Sequence, residues 1–527
     1  MDIGTISLVL LMGMLLLLAI GMPLGFASGF LAVVVMAMKF GPDVLFGNFG
    51  TGPLNLLGQR IYGITTSYVL VSVPLFIFMA NLLERSGIAR DMYDTLEAWM
   101  SRTRGGIAVV TALMAVVMAA MSGIIGGEVV LLGLIALPQM LRLGYDQNLA
   151  IGTICASGSL GTMIPPSIVL IFYGLITDTS IHALFQAAFV PGFILAACYI
   201  AYILIRTNLN PSLAPLPDPK EGDLTGQQKR LYGLALITMI VGAAAAVMVV
   251  RGLYLNAFNL IDSDTGGITL GFIANAAVLA TACGAVIQFW IGRDNAAAAW
   301  AQGKGMVAPL LIVFVVLGSI YGGITGITEA AGIGAMAVLL LIIIRGEFTW
   351  GLLHQASMRT FKSTGTIMWV TIGATALAGA YTLAGGPTFV ANLIVGLDLP
   401  TLGILLIMML VFLFMGAFMD WTGIVLLVMP VFLPIVLKLP WDELGITGGL
   451  DTKMAVQVWF GVLFCVNMQV SFLSPPFGGA AFYLKSVAPA HITLPAIFKS
   501  FLPFICIQIM VLMLILLVPQ ITTLFLR

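Results

Sequence analysis

The chain has 527 residues, 60% of them hydrophobic and only 8% charged, against about a quarter charged in a soluble domain. The 22 basic and 22 acidic side chains cancel, which gives no electrostatic footprint for nucleic acid. Mean hydropathy is +1.11, and apolar runs of the ~20 residues that cross a bilayer recur from end to end. The expected fold class is therefore an all-α polytopic membrane protein in contact with lipid, not a barrel of short alternating strands.

In chain order, residues 5–21 and 23–40 read as two helices divided at Gly21, Met22 and Pro23. The start, Met1 to Gly4, has neither the basic n-region nor the small-residue cleavage site of a signal peptide, so the first apolar stretch is expected to be retained. A helix over 66–84 precedes an amphipathic stretch, 85–104, whose Arg85, Arg90, Arg102 and Arg104 favour an interfacial, cytoplasmic place. Residues 105–120 are helical. The segment Ser122–Arg142 is too short to cross twice and reads as a re-entrant hairpin. A helix from 148 to 176 is interrupted by Ser157 to Thr162 and by Pro165 and Pro166, and a helix over 184–205 follows.

The polar linker Asn208–Arg230, with prolines at 211, 215, 217 and 219, divides the chain, and two further helices are expected near 231–251 and 269–291. The second half restarts near 303, where Gly322 to Gly332 breaks a helix pair. No Lys or Arg occurs from Ser363 to Leu437. The place of the arginine-rich 85–104 stretch is thus taken by the neutral 385–400, the opposite loading expected of halves inverted across a membrane. A second hairpin over 418–438 ends at Lys438 as the first ends at Arg142, and a longer connection near Trp441–Lys453 follows. Then comes a second interrupted helix, unwound over 467–474 and running to Pro475, Pro476 and Gly478.

Paired Gly/Pro-interrupted apolar segments in two halves point to a binding site at a repeat interface. A helix unwound at membrane depth exposes carbonyls, which survive there only when buried in protein or lining a cavity. Carbonyls with Ser, Thr and Asn oxygens suit Na⁺, and half-helix N-termini suit an anion. The candidate sodium ligands are Ser122, Ser157, Ser159, Thr162, Asp420, Thr422, Asn467, Gln469 and Ser471; the candidate substrate residues are Gly161, Pro165, Ser474, Pro475 and Gly478. The structural alternative is a packing kink in which Ser and Gly allow close helix approach. Four acids stand in apolar segments, and a charge at membrane depth is a functional hypothesis by default. Each has a bland reading: Glu329 and Asp420 as helix caps, Glu128 as a water-facing residue, Asp178 as a solvated helix end.

Other chemistry is absent from the sequence. The five cysteines lie in apolar segments without CxxC spacing and read as buried small hydrophobes. The three histidines are scattered, with no transition-metal pattern. No Ser-His-Asp order, Walker sequence or dinucleotide fingerprint is present, so neither an enzyme nor an ATP-driven pump is expected in this chain.

The segments Ile324–Ala331, Gly416–Gly423 running to Pro430 and Pro434, and Ser474–Gly478, with Pro74–Met79, Gly87 and Gly158–Pro166, resemble the large membrane subunit of tripartite ATP-independent periplasmic (TRAP) transporters. The resemblance covers about 1–205 and 303–527. It implies an elevator-type fold of the ion-transporter superfamily, with inverted repeats, two re-entrant hairpins and two unwound helices. It further implies uptake of an organic acid with Na⁺ across the bacterial inner membrane. A periplasmic substrate-binding protein and a small membrane subunit of four helices are the implied partners. On this reading 1–104 and 303–400 are scaffold arms, 105–205 and 401–527 the transport domain, and 206–302 a linker carrying two extra helices. The chain departs from the family in a first hairpin poor in Ser and Thr, in Trp421 where a smaller residue is common, and in the helices at 231–291. The alternatives are a single-component Na⁺/dicarboxylate elevator and, from another class, an ion channel or membrane assembly scaffold.

Overall fold

The computed structural model describes every residue except 42–51, 101, 124, 217–223, 258–269, 397–398, 441–442, 444, 447–451, 477 and 525–527. Most of the connection expected near 441–453 and part of the 208–230 linker lie outside the described residues. Those described form helices and no strand. Nine of these helices are long and apolar enough to cross a membrane, so the chain is a multi-pass membrane protein.

The first half runs α1 (Ile3–Ala19), α2 (Leu24–Phe40), α3 (Pro53–Thr65), α4 (Ser72–Arg85), α5 (Ile88–Met100), α6 (Gly106–Ser122), α7 (Ile125–Arg142), α8 (Gln147–Ser159), α9 (Ile168–Thr177) and α10 (Ile181–Leu209). Next come α11 (Gly226–Ala257) and α12 (Leu270–Val286). The second half runs α13 (Arg293–Tyr321), α14 (Ile327–Ile344), α15 (Trp350–Ala384), α16 (Gly386–Val395), α17 (Thr401–Gly416), α18 (Trp421–Val436), α19 (Thr452–Leu473), α20 (Gly479–Lys485), α21 (Leu494–Leu517) and α22 (Gln520–Thr523). One succession therefore occurs twice: two helices joined at a tip (α6–α7, α17–α18), a broken helix (α8–α9, α19–α20), then a long helix (α10, α21).

By its contacts the chain sorts into two compact units. The smaller holds Asp91–Thr103 and Leu216–Ala308. Its helices α11 and α12 pack on each other, and Tyr232, Ala235, Leu236, Ile291, Ala296 and Ala299 form its core beside Trp99. The larger holds Met1–Arg90, Arg104–Pro215 and Pro309–Arg527. In it α2 lies along α15, while α14 and α15 both pack on α4. The apolar cluster of Ile6, Leu31, Val35, Met36, Leu57 and Leu377 ties α1, α2, α3 and α15 together. The two halves interlock through α8 on α21, α10 on α19 and α9 on α18. Trp459 is fully buried in α19 and donates its indole N–H to Ile515 O at 3.0 Å.

Side-chain caps set several helix starts: Asp146 accepts from Leu149 N at 2.9 Å, Ser167 from Leu170 N at 3.4 Å and Thr349 from Leu352 N at 3.1 Å. Two boundaries differ from the sequence expectation. Residues 122–142 do not fold back on themselves, because 125–142 is one helix. The paired arms are α6 and α7, and the chain turns at Gly123, whose left-handed conformation (φ 65°) ends α6. Pro138 sits inside α7 without ending it. In the second half the arms are likewise whole helices, Thr401–Gly416 and Trp421–Val436, with Pro430 and Pro434 inside the latter. The second difference is the later break: Asn467, Gln469 and Ser471 lie within continuous helix, and the chain unwinds only between Leu473 and Gly479. Here two prolines follow in succession, Pro475 and Pro476, and two neighbouring residues without an N–H keep the helix from continuing.

Candidate functional site

The first break follows from its sequence. After α8 the chain makes a single 3₁₀ turn, Leu160–Thr162. It then passes Met163 to Pro166, with a cis Pro165–Pro166 bond, to the Ser167 cap of α9. Every residue from Leu149 to Tyr173 is buried, so the carbonyls of the break must find partners inside the protein. Thr162 O accepts from the Ser167 hydroxyl and from Cys465 Sγ, the latter at 2.9 Å. The Thr162 hydroxyl donates to Ser159 O at 3.1 Å and accepts from the Gln469 side-chain amide. Cys465 and Gln469, four residues apart on one face of α19, thus clamp the first break. In return Cys155 on α8 donates to Ala480 O at 3.7 Å, just past the second break.

The second break is more open. Pro475 and Pro476, again joined by a cis bond, are exposed. The Ser474 hydroxyl returns to Val470 O at 2.8 Å, and Gly478 N donates to Ser474 O at 2.9 Å. The opposite face of α19 meets α17. The Asn467 amide donates to Met409 O at 2.9 Å, and Ser471 donates to Asn467 O at 3.3 Å. Ser471 also packs on Gly416, the end of α17.

Each tip lies by a break. A side chain at Gly123 would meet Pro166 O at 2.5 Å, so the first tip rests on the first break. Ser122 donates to Glu128, and both are buried. Gly161 accommodates this pair: a Cβ there would stand 2.6 Å from Glu128 Oε1. At the second tip Asp420 is exposed and accepts from the buried Thr422 hydroxyl at 3.0 Å. Trp421 fills its place by an edge contact with Phe172 of α9, ring centroids 5.7 Å apart.

The structure therefore gathers some of the candidate ligands at the first break and spreads the rest over the second half. Ser122, Ser157, Ser159, Gly161, Thr162, Pro165 and Gln469 gather at the first break. Asn467 and Ser471 face α17, while Asp420 and Thr422 mark the second tip, and Ser474, Pro475 and Gly478 form the second break. Two contributors escape sequence reasoning. Cys465 gives no signal beyond its apolar surroundings. Glu128 is visible as an acid in an apolar run, and of its two readings the water-facing one does not hold: it is 1% exposed. The other acids behave as ends and caps. Asp178 closes α9 in the left-handed conformation (φ 51°). Glu329 sits in the first turn of α14 and accepts from the Tyr68 hydroxyl at 2.9 Å.

The buried oxygens without a protein partner near these elements include Glu128 Oε2, Ser157 Oγ, Asn467 Oδ1 and Gln469 Oε1. An unpaired buried acceptor costs about 1–3 kcal/mol. Oxygen lone pairs of this kind are what a hard cation takes. Among the described residues no three His, Cys, Asp or Glu side chains gather as a metal cluster.

Comparison with known proteins bears on what such an arrangement serves. The family model described as "Tripartite ATP-independent periplasmic transporter, DctM component" matches residues 11–521. A C4-dicarboxylate TRAP transporter large permease protein of Pseudomonas aeruginosa is 25% identical, over 90% of each chain. An isethionate TRAP transporter permease protein, DctMQ, of Oleidesulfovibrio alaskensis is 24% identical over 97% of this chain and 65% of its own length. In fold, the crystal structure of the Alcanivorax borkumensis YdaH transporter covers 96% of this chain and 98% of its own, with a TM-score of 0.50 at 16% identity.

Proposed function

The chain belongs to the DctM family of TRAP transporters as a large permease subunit, and from that premise we propose that it imports a small organic acid together with Na⁺ and without ATP. The observation that carries the coupling is the set of buried oxygens without donors around two helix breaks, each break approached by a helix-pair tip. Na⁺ is cargo here. At the first break Ser122, Ser157, Thr162 and Gln469 are its proposed side-chain ligands, with Ser159 contributing through its backbone carbonyl. Asn467, Ser471, Asp420 and Thr422 are those of the second half. The substrate carboxylate lies by Gly161, Pro165, Ser474, Pro475 and Gly478, where helix starts supply partial positive charge. Relatives named for a C4-dicarboxylate and for isethionate support a small anion as cargo.

The motion we propose is an elevator. Residues 105–205 and 401–527 move as the transport domain against scaffold arms 1–104 and 303–400, and the helix pairs α6–α7 and α17–α18 enter the bacterial inner membrane from opposite faces as re-entrant hairpins of inverted repeats. The repeated order of elements and the opposite basic loading of the two arms support this. Substrate arrives on a periplasmic binding protein, and a small membrane subunit of four helices completes the assembly. That the isethionate relative extends well beyond its match to this chain supports an additional part.

Uptake in proteoliposomes holding both membrane subunits tests this reading. With an inward Na⁺ gradient and a C4-dicarboxylate, accumulation is expected only when the matched binding protein is added. Equal uptake without it assigns the chain to a single-component symporter.

A further inference from the structure

Glu128 is the only acidic or basic residue that is fully buried among those described. No Lys, Arg or His pairs with it there. One carboxylate oxygen takes the Ser122 hydroxyl, and Oε2 takes nothing from the protein. The carboxylate lies on the backbone of the 3₁₀ turn, since a Cβ at Gly161 would stand 2.6 Å and 2.8 Å from its two oxygens. Ser157, one turn earlier on α8, is fully buried and its hydroxyl is also without a partner.

A second acid stands close by on another element. Glu84 of α4 presses Oε1 onto Gly127, the residue just before Glu128. Arg359 reaches Glu84 at 3.8 Å but is 57% exposed, so solvent screens much of its help. Bare, the Glu128 carboxylate is buried, half-satisfied and beside a like charge, which is unfavourable on all three counts. A neutral hydrogen-bonding role for this position would be filled by Gln or Ser at far lower cost.

We propose that Glu128 is the charged ligand of the ion at the first break, and that the ion latches the first helix pair shut. Na⁺ sits against Glu128 Oε2 with the Ser157 hydroxyl and carbonyls of the 160–162 turn, and cancels the charge that Glu84 repels. When the ion leaves, that repulsion loosens α7 from the broken helix. Ion occupancy is thereby converted into closure. The inference deepens the Na⁺ reading above and rests on it.

The test is thermal unfolding of the purified full-length permease in NaCl and in choline chloride of equal concentration, beside Na⁺-driven uptake. In the wild type Na⁺ raises Tm. Glu128→Gln, which keeps size and the bond from Ser122, should melt above wild type in choline, lose more than half of the Na⁺ shift, and need at least tenfold more Na⁺ for half-maximal uptake. Glu84→Gln should also melt higher in choline but keep its Na⁺ shift. Glu128→Asp keeps the charge and should retain a reduced shift, which serves if the Gln variant does not fold. A full Na⁺ shift in Glu128→Gln, or none in the wild type or the Asp variant, overturns the proposal. Loss of Na⁺-driven uptake from the wild type instead overturns the function it rests on.

Discussion

Gln469 and Ser159 look interchangeable in sequence, as polar side chains in an apolar run. The structure separates them. The Ser159 hydroxyl turns back along its own helix to donate to Ala156 O at 2.8 Å, whereas Gln469 reaches across to clamp Thr162 and keeps a buried oxygen free. Gln469→Leu, similar in volume, should therefore raise the Na⁺ needed for half-maximal uptake about tenfold, the ~1.4 kcal/mol of one good oxygen contact. Ser159→Ala should change it less than twofold, and initial uptake rates across a Na⁺ series check both. Trp459 provides the contrast of a purely structural polar group. Pro519 has no N–H to offer Ile515 O, its partner four residues back, and the Trp459 indole takes its place. Trp459→Phe strands that carbonyl and should cost about 1–3 kcal/mol. It should lower Tm while leaving the Na⁺ response unchanged. Residue types were legible in the sequence, but their partners were not, because facing on α19 divides residues two apart between different neighbours.

At the level of elements, proline and glycine announced the breaks and the order of helices correctly, and misplaced their edges. Pro138, Pro430 and Pro434 sit within helices, as membrane-embedded helices tolerate. Gly123 turns the first pair instead, because only a residue without a Cβ fits at positive φ against Pro166 O. Helix α3 gave no clear signal, being short and mostly polar or exposed on its outer face. Two outcomes follow at this scale. Arg142 ends α7 and Lys438 follows α18, so single cysteines at these positions should be labelled from opposite sides of the membrane; labelling from one side contradicts the inverted arrangement. Asp420 opens α18 and accepts from Thr422. Asp420→Asn keeps that bond and loses the charge, so Na⁺-driven uptake should fall at least tenfold with Tm nearly unchanged. Unchanged uptake makes Asp420 a structural end of the helix.

For the whole molecule, composition alone gave the membrane class, and nine long apolar helices among the described residues bear it out. The polar linker led the sequence reading to divide the chain near 208–230. It gave no hint that Asp91–Thr103, far away in sequence, groups with Leu216–Ala308, since such grouping depends on packing between distant helices such as Trp99 on Gly233. The interlock of α8 with α21 and of α10 with α19 places both breaks inside one body of helices, which is what a shared ion and substrate site needs. Coupling is the claim on which the account turns, and simultaneous flux measures it directly. Proteoliposomes containing both membrane subunits, given loaded binding protein and an inward gradient of radiolabelled Na⁺ without nucleotide, should accumulate substrate and Na⁺ together in a fixed ratio. Replacing Na⁺ by choline should abolish both. Substrate accumulation that proceeds in choline, or Na⁺ entry that does not depend on substrate, would contradict the account.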